Sequence, residues 1–204
     1  MQKRRILTGA AVMSGAALLL AACGSGSGKS AGSGHAADGT DSKATASSVL
    51  WPAPADASAQ VKAAGLPMLG QEGQVLHIHS HLDVFVDGKA VTVPAEVGID
   101  EARQQISPLH THDTSGVVHI ESPVKKDFTL GEFMTEWNVP ITKDALGPLK
   151  TGGGKELRVY ADGKQWSGNP ADLKLAAHEE IAVVYGAANE QVKVPASYNW
   201  PEGL

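Results

Sequence analysis

The chain has 204 residues and one cysteine, and its 17 basic against 22 acidic side chains give a formal net charge of −5 at neutral pH. An acidic chain without a basic cluster argues against nucleic acid as a partner. A lone cysteine allows no disulfide within the chain.

Residues 1–22 have the pattern of a lipoprotein signal peptide. Basic residues at positions 3–5 precede an apolar, alanine-rich run over positions 6–20, which is typical of an export signal. Leu20-Ala21-Ala22-Cys23 follows, and it resembles the lipobox of bacterial lipoproteins, whose cysteine is lipidated and becomes the mature N-terminus. The apolar run is shorter than the ~20 residues of a spanning helix, which disfavours an uncleaved anchor. We therefore expect Cys23 to anchor the protein in the cell membrane, facing the extracytoplasmic side.

The predicted cleavage divides the chain into an anchor, a tether and a domain. Removal of the signal peptide leaves 14 basic and 22 acidic side chains, a formal charge of −8. With Cys23 lipidated, a metal site has to use histidine, carboxylate, methionine or backbone ligands. Residues 23–49 are rich in glycine, serine and alanine and are predicted to be a flexible tether. Residues 50–204 have the size of one domain. Arg4 and Arg5 leave both Sec and twin-arginine export open.

The domain begins with a short predicted helix and a strand that carries three histidines. Asp56 is predicted to cap the helix, and Gly65 to end it. The strand covers residues 75–86, VLHIHSHLDVFV, and Asp87-Gly88 is a hairpin turn after it. Alternation along the strand places four polar side chains on the face opposite to the apolar one. These side chains are His77, His79, His81 and Asp83.

A second histidine-rich stretch, Leu109 to Ser122, reads LHTHDTSGVVHIES and is predicted to be a β-hairpin. A two-residue Ser-Gly loop places His112 opposite His119, and in the same register His110 faces Glu121. A longer loop places His110 opposite His119. In both registers these side chains share one face of the hairpin.

Clustered imidazoles and carboxylates are typical ligands of a divalent transition metal, and nitrogen-rich sites favour zinc and copper(II). The predicted primary ligands are His110, His112 and His119. His79, with either His81 or His77, is predicted to assist, because residues 77 and 81 of an extended strand are about 13 Å apart. That distance indicates two sites, or one site that uses only a pair from this strand. The carboxylates that we expect to orient imidazole N–H groups, or to ligate occasionally, are Glu121, Asp113 and Asp83.

The rest of the chain predicts one further helix and more hairpins. Thr129 and Glu132 form a capping box at the start of this helix. A later hairpin turns at Asp162-Gly163, and a buried strand over residues 181–185 follows an exposed turn at residues 178–180. The predicted fold is an α+β, strand-dominated single domain of hairpins packed around one helix, similar to a β-grasp arrangement.

The motifs HxHxHL, LHTHDxxGxxHxES and FTLGEFxxxW occur in this order between Val75 and Trp137. Their combination resembles an uncharacterised group of exported bacterial lipoproteins. The resemblance implies that the histidines act together, and it implies no activity. An HxH pair with a third histidine from a neighbouring strand is also how carbonic anhydrases hold zinc, which is an analogy of geometry.

Three functions follow from these patterns. The favoured one is a surface-anchored lipoprotein that binds zinc or copper for capture, buffering or delivery. The alternative is a metal-dependent enzyme in which a three-histidine ion activates water, with Glu121 or Asp113 as the base. A further alternative is an interaction module whose histidines sense pH. The sequence identifies no protein partner.

Overall fold

The structure, a computed structural model, describes residues 50–204. The predicted signal peptide over residues 1–22, the lipidated Cys23 and the tether up to residue 49 lie outside the described residues. In the part that is described, no helix has both the length and the apolar character needed to cross a membrane.

Strands dominate the described domain. The α-helices are α1 (Ala57–Ala63) and α2 (Leu130–Glu136). The strands are β1 (Leu76–Val86), β2 (Lys89–Val91), β3 (Ile99–Asp100), β4 (Gln105–Ile106), β5 (Leu109–His110), β6 (Val117–Ser122), β7 (Ile141–Thr142), β8 (Ala145–Leu146), β9 (Leu149–Lys150), β10 (Lys155–Ala161), β11 (Lys164–Gln165) and β12 (Glu180–Ala187). Short 3₁₀ turns cover Glu101–Arg103 and Pro170–Asp172.

The long strand β1 is at the centre of the main sheet, whose order is β11-β10-β12-β1-β6-β5 with β2 also paired to β1. The first and last long strands, β1 and β12, are neighbours and run parallel. The other neighbours of β1, which are β2 and β6, are antiparallel to it. Small two- and three-stranded sheets are formed by β3-β4 and by β7-β8-β9.

One apolar core joins the sheet to the helices. Leu82 of β1, Ile120 of β6 and Phe133 of α2 are almost fully buried in the same cluster. Each such side chain contributes about 1.5–3 kcal/mol when it leaves water. Because β1 and β6 alternate, burying Leu82 and Ile120 in this core directs the residues of the other parity to the opposite face.

Local signals in the sequence account for most element boundaries. The Thr129 hydroxyl accepts from the Glu132 N–H, and the Glu132 carboxylate accepts from the Thr129 N–H, which is the predicted capping box of α2. The Asp56 carboxylate caps α1 as predicted. The turns at Asp87-Gly88 and Asp162-Gly163 have positive φ at both residues. This is the backbone conformation that a two-residue type I′ hairpin turn requires. The prediction of an α+β, strand-dominated domain is confirmed, and the parallel pairing of first and last strands agrees with its β-grasp-like description.

Two details of the prediction differ from the structure. In the histidine-rich hairpin His110 pairs with His119, which confirms the register predicted for a longer loop; the two-residue loop that placed His112 opposite His119 is wrong. The reason is that β5 ends at His110 and residues 111–116 form a longer connection. The second difference is Glu180, which is the first residue of β12 and only 1% exposed, and does not belong to an exposed turn.

Candidate metal centre

Strand register places three histidines in a row across the sheet. His79 of β1 pairs with His119 of β6, and His119 pairs in turn with His110 of β5. Two residues further along each strand, His77 pairs with Glu121. These side chains share the face opposite to the apolar core, because all of them have the same strand parity.

The imidazole rings are in contact around His119. Its ring centroid is 4.6 Å from that of His79, 4.6 Å from that of His112 and 5.2 Å from that of His110. The ring of His77 reaches the group through His79, at a centroid distance of 5.0 Å. We call these five residues the histidine cluster. It contains all three predicted primary ligands and two of the three predicted assisting histidines.

His110 presents one ring nitrogen for coordination. Its Nδ1 is 2.9 Å from the backbone carbonyl of Ser107, and since a carbonyl only accepts, Nδ1 carries the proton. Nε2 therefore carries the lone pair. This atom is buried and has no hydrogen-bond partner among residues 50–204. His110 is fully buried, so its Nε2 does not face bulk solvent.

His79 and His112 differ in their exposure to solvent: His79 is buried, like His110, whereas His112 is exposed. The Nε2 atom of His79, a residue that is 5% exposed, is also buried without a hydrogen-bond partner in the described part of the chain. His112 is at the open edge, with its side chain 46% exposed and its Nε2 3.6 Å from Oε1 of Glu72. An ion can therefore enter on the side of His112 and Glu72.

Glu121 is the carboxylate at the middle of the cluster. Its Oε1 is 3.1 Å from Nδ1 of His119 and 3.3 Å from Nε2 of His77. Its Oε2 is buried and has no hydrogen-bond partner in the structure as described. Burial, together with the charge of Glu72, raises the pKa of Glu121 to about 7.

The electrostatics of the cluster favour neutral imidazoles, which is the form that binds metal. Burial, which costs more for a charged ring than for a neutral one, lowers the pKa of His110 to about 3 and that of His119 to about 4. Burial lowers the pKa of His79 as well, and the neighbouring His77 adds to the effect. Protons therefore do not compete for these nitrogens at neutral pH.

The ligand atoms converge closely enough for coordination. Tetrahedral ligands at about 2.1 Å from an ion are about 3.4 Å from one another. Three sets in this region have one ligand atom per residue, all within 4.8 Å of each other. The sets are His110 with His112 and His119, His77 with His79 and Glu121, and Glu72 with His110 and Glu121. Coordination by any one set would require its ligand atoms to move closer together than their present limit of 4.8 Å.

His81 lies apart from the histidine cluster and is held by its own partners. Its Nδ1 is 2.8 Å from the Glu180 carboxylate and its Nε2 is 2.8 Å from the Ser115 carbonyl. Tyr198 stacks on its ring at a centroid distance of 3.8 Å. Although burial lowers the pKa of His81, the hydrogen bond and charge of Glu180 outweigh it, and the net pKa is raised. Both ring nitrogens are engaged, so His81 would have to break one hydrogen bond to ligate an ion.

Two predicted carboxylates also lie outside the cluster. Asp83 is next to His81 and Glu180, with which it forms a fourth set of possible ligand atoms, and burial raises its pKa to about 6. Asp113 accepts from the Ser115 N–H at 2.8 Å and shapes the exposed hairpin loop. Of the predicted carboxylates, Glu121 is the one with oxygens among the clustered imidazoles.

Sequence patterns did not identify three residues that bear on the site. Glu72 comes before β1 in an irregular segment, where no periodicity predicts its position. Glu180 follows two other polar residues, which resembles an exposed turn. Ser107 fixes the His110 ring through its carbonyl, and a backbone group has no signature in the sequence.

A cleft of about 450 Å³ lies beside the cluster. Its polar lining includes His77, His79 and His178, and residues 203–204 form part of its wall. His178 is exposed and its Nε2 is 3.0 Å from the Leu204 carbonyl. Comparison of the chain with protein-family models, curated proteins and solved structures found no match.

Proposed function

We propose that this protein binds a divalent transition metal through the histidine cluster, and that it captures, buffers or delivers the ion at the cell surface. The observation that carries the proposal is the pair of buried Nε2 atoms, of His79 and His110, without hydrogen-bond partners in the described chain. An unsatisfied buried polar group costs about 1–3 kcal/mol. Ligation of a metal ion by either atom turns the cost of that unsatisfied group into a favourable interaction.

Zinc and copper(II) are the ions that this ligand set favours. The cluster offers five imidazoles and the carboxylate of Glu121. Imidazole suits zinc and copper(II), whereas calcium and magnesium require mostly oxygen ligands. The sole cysteine, Cys23, belongs to the predicted anchor, so we propose no thiolate ligand.

The proposal includes the location of the protein in the cell. Cys23 in its lipobox-like context supports a lipid anchor on the extracytoplasmic face of the cell membrane. The predicted tether, residues 24–49, would let the domain move above the membrane surface. The resemblance to exported bacterial lipoproteins, carried by the motifs between Val75 and Trp137, supports the same address.

A second candidate function is metal-dependent catalysis. The cleft beside His77 and His79 favours it, since a substrate could approach an ion held there. In that case Glu121 would serve as the base for a metal-bound water. Turnover of ester or phosphoester substrates by the metal-loaded protein, lost when His77 is replaced, would favour catalysis over carriage.

The pH-sensing alternative is less well supported. It requires histidines that change charge between about pH 5 and 7. Burial instead holds the pKa of His110 and His119 well below that range. A partner that binds only below pH 6, and that is indifferent to chelators, would restore this alternative.

The direct test is elemental analysis of the protein isolated from its own membrane. We expect zinc or copper to copurify with the wild-type chain. The double variant His110→Ala/His112→Ala should lose the ion held by the hairpin histidines, because both the deepest and the most open ligand of that set are removed. The matched control is His178→Ala, an exposed histidine outside every ligand set, which should keep the ion.

The proposal is overturned if the wild-type chain carries no transition metal and takes up none on dialysis against zinc or copper(II). It is also overturned if the double variant keeps the full metal content while its circular dichroism spectrum is unchanged.

A further inference from the structure

We propose that the histidine cluster holds two divalent transition-metal ions and that Glu121 bridges them. The first ion is bound by the hairpin histidines His110, His112 and His119. The second is bound by His77 and His79 of β1. This inference rests on the proposed function, to which it adds the number of ions and the group that joins them.

The number of donors points to more than one ion. Five imidazoles and the Glu121 carboxylate form one connected group of contacts, and Glu72 lies at its edge. A zinc ion in a protein takes about four ligands. In the described part of the chain no converging set contains both His79 and His110, so a single ion would leave several imidazole nitrogens without a partner, including one of the two buried ones.

The donors separate into two sets without a common member. His110, His112 and His119 come from β5, the loop after it and β6. His77 and His79 come from β1, and the ligand atoms of both are within 4.8 Å of a Glu121 oxygen. The hairpin set supplies three imidazoles, and a bridging Glu121 would be the fourth ligand of that ion; the second ion would have two imidazoles and Glu121, which leaves one tetrahedral position for water.

Glu121 contacts members of both sets. Its Oε1 is 3.3 Å from Nε2 of His77 in the second set, and 4.0 Å from Nε2 of His110 in the first. Its Oε2 is buried and free of hydrogen bonds within residues 50–204. Ions in two-metal sites are about 3.5–4 Å apart, a separation that one carboxylate can bridge when each of its oxygens binds one ion.

The negative charge of Glu121 also supports a bridging position between two cations. The carboxylate is 3% exposed, and no lysine or arginine forms an ion pair with it in the described chain. A buried carboxylate without a cation is costly. Two divalent ions would supply the missing positive charge. In the tautomer with the proton on Nδ1, His119 would donate to Oε1 of Glu121 at 3.1 Å and keep the lone pair of Nε2 for the first ion.

The test uses the full chain, stripped of metal and titrated with zinc or with copper(II). Elemental analysis after dialysis should give two ions per chain. The copper(II) form should show a mononuclear electron paramagnetic resonance (EPR) signal up to the first equivalent. The second equivalent should lower the signal per copper and produce a half-field transition, because carboxylate-bridged copper(II) ions couple magnetically.

Two single variants form a matched pair, since the side chains of His77 and His112 are 47% and 46% exposed and neither supports the core. His77→Ala should weaken the second ion at least ~10-fold and leave a mononuclear signal. His112→Ala should weaken the first ion similarly and keep the second. Glu121→Gln, which preserves the shape of the side chain, should abolish the coupling, and His178→Ala should keep two coupled ions.

A wild-type chain that saturates at one ion, with an uncoupled copper signal throughout, overturns the two-ion proposal and leaves the proposed function intact. A wild-type chain that binds no ion overturns both. Two ions that remain coupled in Glu121→Gln overturn the bridging role of Glu121.

Discussion

The hydroxyl of Ser107 donates a hydrogen bond of 2.6 Å to Oε1 of Glu136, a glutamate of α2 that is fully buried. The carbonyl of the same serine accepts from Nδ1 of His110. Ser107 therefore links a helix in the core to a ligand in the histidine cluster. The second oxygen of Glu136 has no hydrogen-bond partner in the described residues. The negative charge of this carboxylate is therefore stabilised by one hydrogen bond only in this part of the chain, the one from Ser107. Its burial raises the pKa to about 8.

Replacing Glu136 with glutamine should make the stability less dependent on pH. A carboxyl whose pKa is higher in the folded chain keeps its proton there and loses it on unfolding. The free energy of unfolding of the wild-type chain should therefore fall between about pH 4.5 and 8, by about 1.4 kcal/mol per pH unit from this group alone. In Glu136→Gln this component should disappear, as measured by urea unfolding from pH 4 to 9. Parallel curves for the two proteins would contradict the prediction.

Replacing His81 with glutamine should destabilise the fold without removing metal. Breaking a buried pair by removing one partner costs about 3–5 kcal/mol, because the other charge stays buried. Glu180 is that remaining charge. Chemical denaturation should show the loss, and His81→Gln/Glu180→Gln should recover part of it. Metal content should match the wild type, since the donors of the histidine cluster are unchanged. Loss of an ion in His81→Gln would instead place His81 among the ligands.

Metal should raise the thermal stability of the chain. A ligand that binds only the folded state stabilises it by about 2.7 kcal/mol at one hundred times its Kd. For a domain of this size we expect Tm to rise by roughly 5–10 °C. Differential scanning calorimetry with zinc, and then with excess EDTA, measures the difference. The double variant His110→Ala/His112→Ala should show a smaller rise, because it lacks two ligands of the hairpin set, and an equal rise in that variant would place the stabilising ion elsewhere.

Replacing Cys23 with serine should release the protein from the membrane. The proposed anchor needs a thiol for acylation, and one lipidated cysteine is the only membrane attachment that we propose. Cell fractionation and intact-mass measurement should show a membrane-bound, acylated wild type and a soluble, unacylated variant. The matched control Ser25→Ala lies two residues away and should stay membrane-bound. Membrane attachment of Cys23→Ser would refute the lipid anchor.

The sequence was most informative where the signal was local. Alternation over residues 75–86 predicted β1 and the face that its histidines occupy. A cap and an apolar stripe predicted α2. These features depend on neighbours within a few residues of one another, for which periodicity and hydrogen-bond chemistry are sufficient.

The parts that the sequence did not predict depend on distant partners. His81 and Asp83 have the same strand parity as His77 and His79, yet the pairing of β1 with β12 places Glu180 beside them. Alternation along a strand determines which face of the sheet a side chain occupies. The order of the strands determines which residues of the neighbouring strand lie beside it. The register of the hairpin depends on the length of the loop at residues 111–116, and several loop lengths fit its turn residues.

The parallel pairing of β1 with β12 affects when the sheet can form. The contact between His81 and Glu180 joins residues that are 99 positions apart, so the centre of the sheet cannot form until β12 is available. Such long-range pairing folds slowly compared with local hairpins. In the proposed export by the Sec route, in which the chain crosses the membrane unfolded, the histidines of β1 would arrive before β12 and the sheet could not yet form. For that route we expect the ion to be acquired after export.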